Sequence, residues 1–165
     1  MAERVYLTVA EVIAIHHHQI EGYGGAHGLR DQGALEAAVF RPQTGYYNDI
    51  SEEAAALLES LVNNHGFLDG NKRVGFASAH SFLLVNGFDL NVSSRAAVEF
   101  LIKAIADGKF RFALLHEWIA AHVVPFLARF RGQECPRHTL YLAHFGTLST
   151  VNCIDSPFIR FNVYV

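Results

Sequence analysis

Between His65 and Gly75 the chain reads His-Gly-Phe-Leu-Asp-Gly-Asn-Lys-Arg-Val-Gly, which places an imidazole, a carboxylate, an amide and two cations beside an apolar stretch. Those residue types grip a phosphate and move a proton. If a helix starts at Asn71, its unpaired first-turn amides and the positive end of its dipole face the preceding loop and form an anion site. Gly70 lets the backbone approach a ligand closely. Lys72 contributes a point charge and Arg73 a planar fork of donors. Asp69 would repel a bound phosphate unless a Mg²⁺ ion bridges the two, and Asn71 could help to hold either. The ordinary imidazole pKa of about 6.5 lets a neutral ring take a proton from an attacking hydroxyl, so His65 is the candidate general base. Phe67, among polar neighbours, is expected to anchor the loop in the core rather than touch substrate.

Other arrangements of reactive residues carry less. His16, His17 and His18 are consecutive and point about 100° apart on a helix, so they cannot chelate one metal from a single face. His65 and Asp69 as zinc ligands lack a third partner at telling spacing. Neither Gly22-Tyr-Gly-Gly-Ala-His-Gly28 nor Gly70-Asn-Lys72 fits a dinucleotide or Walker loop. Cys135 and Cys153 match no metal or redox spacing and read as plain thiols.

The elements that must position the segment are helical. Thr8-Val-Ala-Glu11 is a capping box opening a helix to about Ile20, and the glycines of 22–28 end it in a loop. Asp31 caps a second helix to about Phe40, stopped by Arg41-Pro42. Ser51, followed by Glu52 and Glu53, is expected to cap a third helix that delivers His65 at its end. From Asn71 to Asn86 the residues are apolar on most sides, the mark of a buried central helix, and Asn86-Gly87 closes it. Ser93 or Ser94 caps a fifth helix ended by Asp107-Gly108, and Arg111 to about Phe130 reads as a last helix, bent or ended near Pro125. No strand-rich run precedes Arg131. The fold class expected is all-α: a compact bundle of about six helices over 1–131 with an irregular appendage, 132–165, that ends in the β-leaning run Phe158 to Val165.

Composition sets the background. The 165 residues, 51% hydrophobic and 18% charged, suffice for one core and not for two ordinary domains. A formal charge of -3 provides no broad cationic face, so direct nucleic-acid binding is not expected and any phosphate meets a local cluster. No window holds the roughly eighteen apolar residues of a membrane span, and Met1-Ala-Glu-Arg4 lacks an apolar secretion core; a cytoplasmic protein is expected.

The signature His65-x-Phe67-x-Asp69-Gly70-Asn71-Lys72-Arg73 resembles that of the Fic/Doc family, specifically its death-on-curing (Doc) branch of toxin-antitoxin toxins. The resemblance extends through Tyr23-Gly-Gly, Leu35-Glu-Ala-Ala-Val and Phe82-Leu-Leu-Val-Asn-Gly87, and covers roughly residues 5 to 125. It implies a small helical fold with ATP and Mg²⁺ at the loop: His65 as base, Asp69 as metal ligand, Gly70 and Asn71 on phosphate, and Lys72 and Arg73 as a cationic clamp. AMP-transferring Fic enzymes have glycine where this chain has Lys72 and a second arginine where it has Phe76. The lysine would crowd an α-phosphate pocket, and the missing arginine removes a phosphate donor. Doc proteins share both departures. The resemblance therefore implies γ-phosphate transfer to a Ser/Thr hydroxyl of elongation factor Tu and arrest of translation. The alternatives are AMP or other nucleotidyl transfer, and an inactive module that only binds its antitoxin. No Ser/Thr-x-x-x-Glu-Gly/Asn inhibitory run occurs, so restraint is expected from a separate antitoxin segment that folds as a helix in a groove bounded by the first helix and the 22–28 loop.

Overall fold

A computed structural model describes residues 4–126. Six α-helices occur in that range: α1 (Val9–Tyr23), α2 (Gln32–Phe40), α3 (Ile50–Asn63), α4 (Asn71–Val85), α5 (Ser94–Ala106) and α6 (Phe112–His122). A 3₁₀ turn, Arg41–Thr44, follows α2. The expected appendage, both cysteines and the boundary at 131 lie outside the described residues.

Local chemistry starts most helices where their caps stand. The Glu11 amide donates to Thr8 Oγ1 at 3.2 Å and the Thr8 amide to Glu11 Oε2 at 2.7 Å, closing the capping box of α1. Asp31 accepts from the Ala34 amide at 2.9 Å, and Ser93 from the Ala96 amide at 3.2 Å. The third helix differs from expectation. Its cap is Asp49, which accepts from the Glu52 amide at 2.9 Å, while Glu52 reaches back to the Asn48 amide; Ser51 is buried in the first turn. A carboxylate three residues ahead of Glu52 outcompetes a hydroxyl next to it, because only the former reaches the orphan amides of the first turn.

The last helix ends near Pro125, as expected. It ends at His122, and Val123–Pro125 leaves as a strand, β2, antiparallel to β1 (Phe88–Leu90), with Leu90 opposite Val123 and Phe88 opposite Pro125. Pro125 bars helical angles at Val124, and the two valines before it favour extended backbone. Two short strands therefore occur where none was expected.

The core lies where α3 crosses α4, with α1 packed on α4 and α6 on α3. Val74, Phe76, Ala79, Phe82 and Leu83 of α4 are buried, as expected for the central helix, yet α3 is buried on as many sides through Ala54 to Leu58. Gly75 permits the close approach, since a Cβ there would stand 2.7 Å from Val62 Cγ2. Polar contacts tie the ends of α4 to their neighbours: His80 Nε2 meets Asp89 Oδ1 of β1 at 2.8 Å, both side chains buried, and the Asn86 amide brackets the Val5 backbone. Among the described residues no helix is long and apolar enough to cross a membrane. The all-α class stands, and α3 with α4 forms the rigid frame on which the loop 64–70 hangs.

Candidate active site at the turn before α4

That loop joins the end of α3 to Gly70, which caps α4 in the left-handed conformation (φ 76°, ψ 5°) without a side-chain hydrogen bond. No side chain of the cap therefore competes for the first-turn amides, the condition for an anion site. His65 is the one non-glycine residue with positive φ, 50°, among the described residues. Its side chain is exposed and makes no hydrogen bond or ion pair within them. A left-handed non-glycine backbone carries a strain of about 1–2 kcal/mol.

Phe67 is 2% exposed, as its expected anchoring role requires. Asn71, expected to contact phosphate, braces the loop with its side chain. Its Oδ1 accepts from the Phe67 amide at 3.0 Å and its Nδ2 donates to the Phe67 carbonyl at 2.9 Å, so the side chain braces the loop. One donor and one lone pair of the amide are thereby committed to the loop.

The glycine-rich segment is part of the site rather than a spacer. Leu29 bridges Phe67 in antiparallel fashion, with the Arg30 and Asp31 amides donating to the Gly66 carbonyl at 2.8 and 3.1 Å and the Leu68 amide to Gly28 at 3.0 Å. Arg73 Nη1 donates to the Gly24 carbonyl at 2.9 Å and to the Gln19 carbonyl at 3.4 Å. Asp69 accepts from the Gly70 amide at 2.6 Å and the Ala26 amide at 3.3 Å, and lies 3.8 Å from Arg73 Nη2. The Asp69 side chain is 50% exposed and that of Arg73 only 11%. Asp69 thus keeps open coordination sites, whereas Arg73 is a largely covered strut. Lys72 is exposed and, together with Arg73, Phe76, Leu101 and Ile105, lines a pocket between α4 and α5. The loop brings His65, Asp69, Gly70, Asn71, Lys72 and Arg73 to one end of α4.

Two residues outside the signature join the site. His16 is 2% exposed, stacks on Phe67 with ring centroids 4.1 Å apart, and places Nε2 3.1 Å from the Asp69 carbonyl. Burial pushes its pKa below the ordinary 6.5; the hydrogen bond to Asp69 opposes that, and His17, His27 and Arg73 add to it. The signal lay in the period of α1: Val12, His16 and Ile20 recur every fourth residue and form its buried face. Gly25 is the second. At φ 119° it occupies backbone space open essentially to glycine, and a Cβ there would run into Asp69 Oδ2 and come within 3.0 Å of Arg73 Nη2. Gly25→Ala is expected to cost about 1–3 kcal/mol in thermal unfolding and to displace Asp69, with nucleotide binding by calorimetry as the second readout; unchanged binding would separate the 22–28 loop from the site.

Similarity to known proteins concentrates on this region. The Fic/DOC family model matches residues 6–83, which run from just before α1 through most of α4 and include the whole loop. "Toxin Doc" of Mycolicibacterium smegmatis is 47% identical over 73 residues, 41% of this chain and 56% of that relative. "Protein kinase doc" of Escherichia phage P1 is 33% identical over 115 residues, 62% of this chain and 90% of the relative. With nine-tenths of a relative covered, and with the family's match spanning both the loop and the α1 to α4 frame that holds it, this chain belongs to the Fic/DOC family.

Proposed function

We propose that the chain is a Doc-type toxin of a toxin-antitoxin module that transfers the γ-phosphate of ATP to a Ser/Thr hydroxyl of a translation factor of the elongation factor Tu type. The observation that carries this reading is the pairing of an exposed Lys72 with a buried Phe76 on consecutive turns of α4. Phe76 lies against Trp118 in the core, so no cation stands where AMP-transferring Fic enzymes have their second arginine. The name of the phage P1 relative, a protein kinase, agrees with that assignment.

In this scheme the triphosphate lies across the start of α4, taken by first-turn amides, Lys72 and Arg73. Lys72 and Arg73 supply two cations for the anionic end of a nucleotide. His65 accepts the proton of the attacking hydroxyl as oxygen bonds to the γ-phosphorus, and ADP leaves with the electrons of the broken P–O bond. Among the described residues no group of three or more His, Cys, Asp or Glu side chains is arranged for a metal. A single half-exposed carboxylate fits Mg²⁺, which takes one or two carboxylates and completes its shell with phosphate and water. Asp69 would hold the ion, which when bound neutralises charge on the phosphates. A cognate antitoxin is the partner that would restrain the activity.

Purified chain incubated with elongation factor Tu and ATP labelled at either the α- or the γ-position tests the reading. Label from the γ-position and a mass gain of one phosphate are expected on the acceptor. Label from the α-position would make the protein a nucleotidyltransferase, and no label from either would leave it an antitoxin-binding module.

A further inference from the structure

We propose that His16 is a positioning residue for the loop, holding residues 67–70 so that His65 and Asp69 face the same ligand; this rests on the phosphotransfer reading above. The ring makes two contacts of different kind. It lies nearly parallel to Phe67, 4.1 Å away and tilted by 4°, and its Nε2 stands 3.1 Å from the Asp69 carbonyl. A carbonyl oxygen only accepts, so Nε2 carries the hydrogen and the ring is fixed in that tautomer. The two contacts grip the loop on either side of Leu68, which is itself half exposed.

The direction of the grip matters for chemistry. With its carbonyl held against α1, Asp69 presents its carboxylate to the Ala26 and Gly70 amides and to Arg73. The next peptide then enters the left-handed conformation of Gly70, from which α4 and its amides begin. A Cβ on Gly70 would lie 3.0 Å from Ile20 Cδ1 and 3.8 Å from His16 Cδ2, so α1 closes directly under the turn. Asn71 braces Phe67 from within the signature, whereas His16 reaches the loop from another element. Loss of the Nε2 donor would leave the Asp69 carbonyl without this partner at a buried contact and free the peptide to rotate. Rotation would swing the carboxylate and the first amides of α4 together.

The test uses the full chain with elongation factor Tu and γ-labelled ATP. His16→Phe keeps a flat ring on Phe67 and lacks the donor; His16→Gln supplies an amide donor within reach of the carbonyl. For His16→Phe the expected result is a folded protein whose kcat falls about tenfold or more while KM for ATP changes less than about threefold, since a misplacement of about 1 Å suffices for such losses. His16→Gln should recover kcat to within about threefold of the parent. A His16→Phe kcat equal to the parent's overturns the proposal, and so do equal losses in the two variants. Should His16→Phe not fold, His16→Met, which fills the site without a strong donor, replaces it; failure of both to fold makes the role purely structural and overturns the proposal. If the parent chain transfers no γ-phosphate, the phosphotransfer reading fails by itself. The grip is then judged by amide hydrogen exchange. Exchange at residues 68–70 faster by about tenfold in His16→Phe, with α3 unchanged, sustains it, and unchanged exchange ends it.

Discussion

His65→Ala is expected to lower γ-phosphate transfer at least about 100-fold, the usual weight of a general base. Stability should hardly move. The imidazole is exposed and makes no hydrogen bond or ion pair among the described residues, so its removal costs no packing and strands no polar partner. The backbone is the complication, because φ is 50° and alanine tolerates the left-handed region less well than asparagine does. His65→Asn therefore serves as the companion variant: it suits the same backbone and offers no comparable base. If both lose activity to the same degree while unfolding within about 1 kcal/mol of the parent, the loss belongs to the imidazole. Activity retained in both would exclude His65 as the base.

Asp69→Asn is expected to be as damaging, and by another route. The substitution keeps one oxygen for the Gly70 amide, which bonds Oδ1 at 2.6 Å, and gives up only the longer contact of the Ala26 amide to Oδ2 at 3.3 Å, which an amide nitrogen cannot accept. What disappears is the negative charge, and with it the one carboxylate on the loop that would face a metal-bound triphosphate. Charge stabilisation by a bound metal is worth several kcal/mol, so a loss of about 100-fold or more follows at fixed Mg²⁺. The characteristic sign is in the metal titration: half-maximal activity should move to at least about tenfold higher Mg²⁺, because the remaining ligands are phosphate and water. A parent-like Mg²⁺ curve in Asp69→Asn would remove the residue from the metal site. Chelation of Mg²⁺ should abolish transfer by the parent while leaving its melting temperature unchanged in the absence of ATP.

The helical elements were legible because each announces itself within a few residues. Thr8 with Glu11, Asp31 and Ser93 stand as caps where expected, and the apolar residues of α4, spread over most of its sides, mark a largely buried helix. Misreadings arose where two local signals competed. Asp49 and Ser51 are both good caps, and the choice between them follows from which one reaches the Glu52 amide. At the other end, Val123 to Pro125 continues the apolar content of α6, and only pairing with Phe88–Leu90, far back in the chain, shows that the backbone has already become extended. Such pairing is non-local, so no helical period encodes it.

From the residues alone came the inventory of the loop, the all-α class and the family resemblance, since a signature confined to residues 65–73 and a hydrophobic period are properties of neighbours along the chain. Tertiary structure decided how that inventory is spent. It turned Asn71 inward to brace Phe67, set Arg73 as a strut to the Gly24 carbonyl, left Lys72 exposed, and brought His16 and Gly25 against the turn. The Arg73, His16 and Gly25 contacts depend on α1 and the 22–31 segment meeting the loop from some forty to fifty residues away. The physical reason is that a side chain's hydrogen-bond partners are chosen by burial: once α1 covers the turn, every polar group beneath it must be paired from whatever element lies closest.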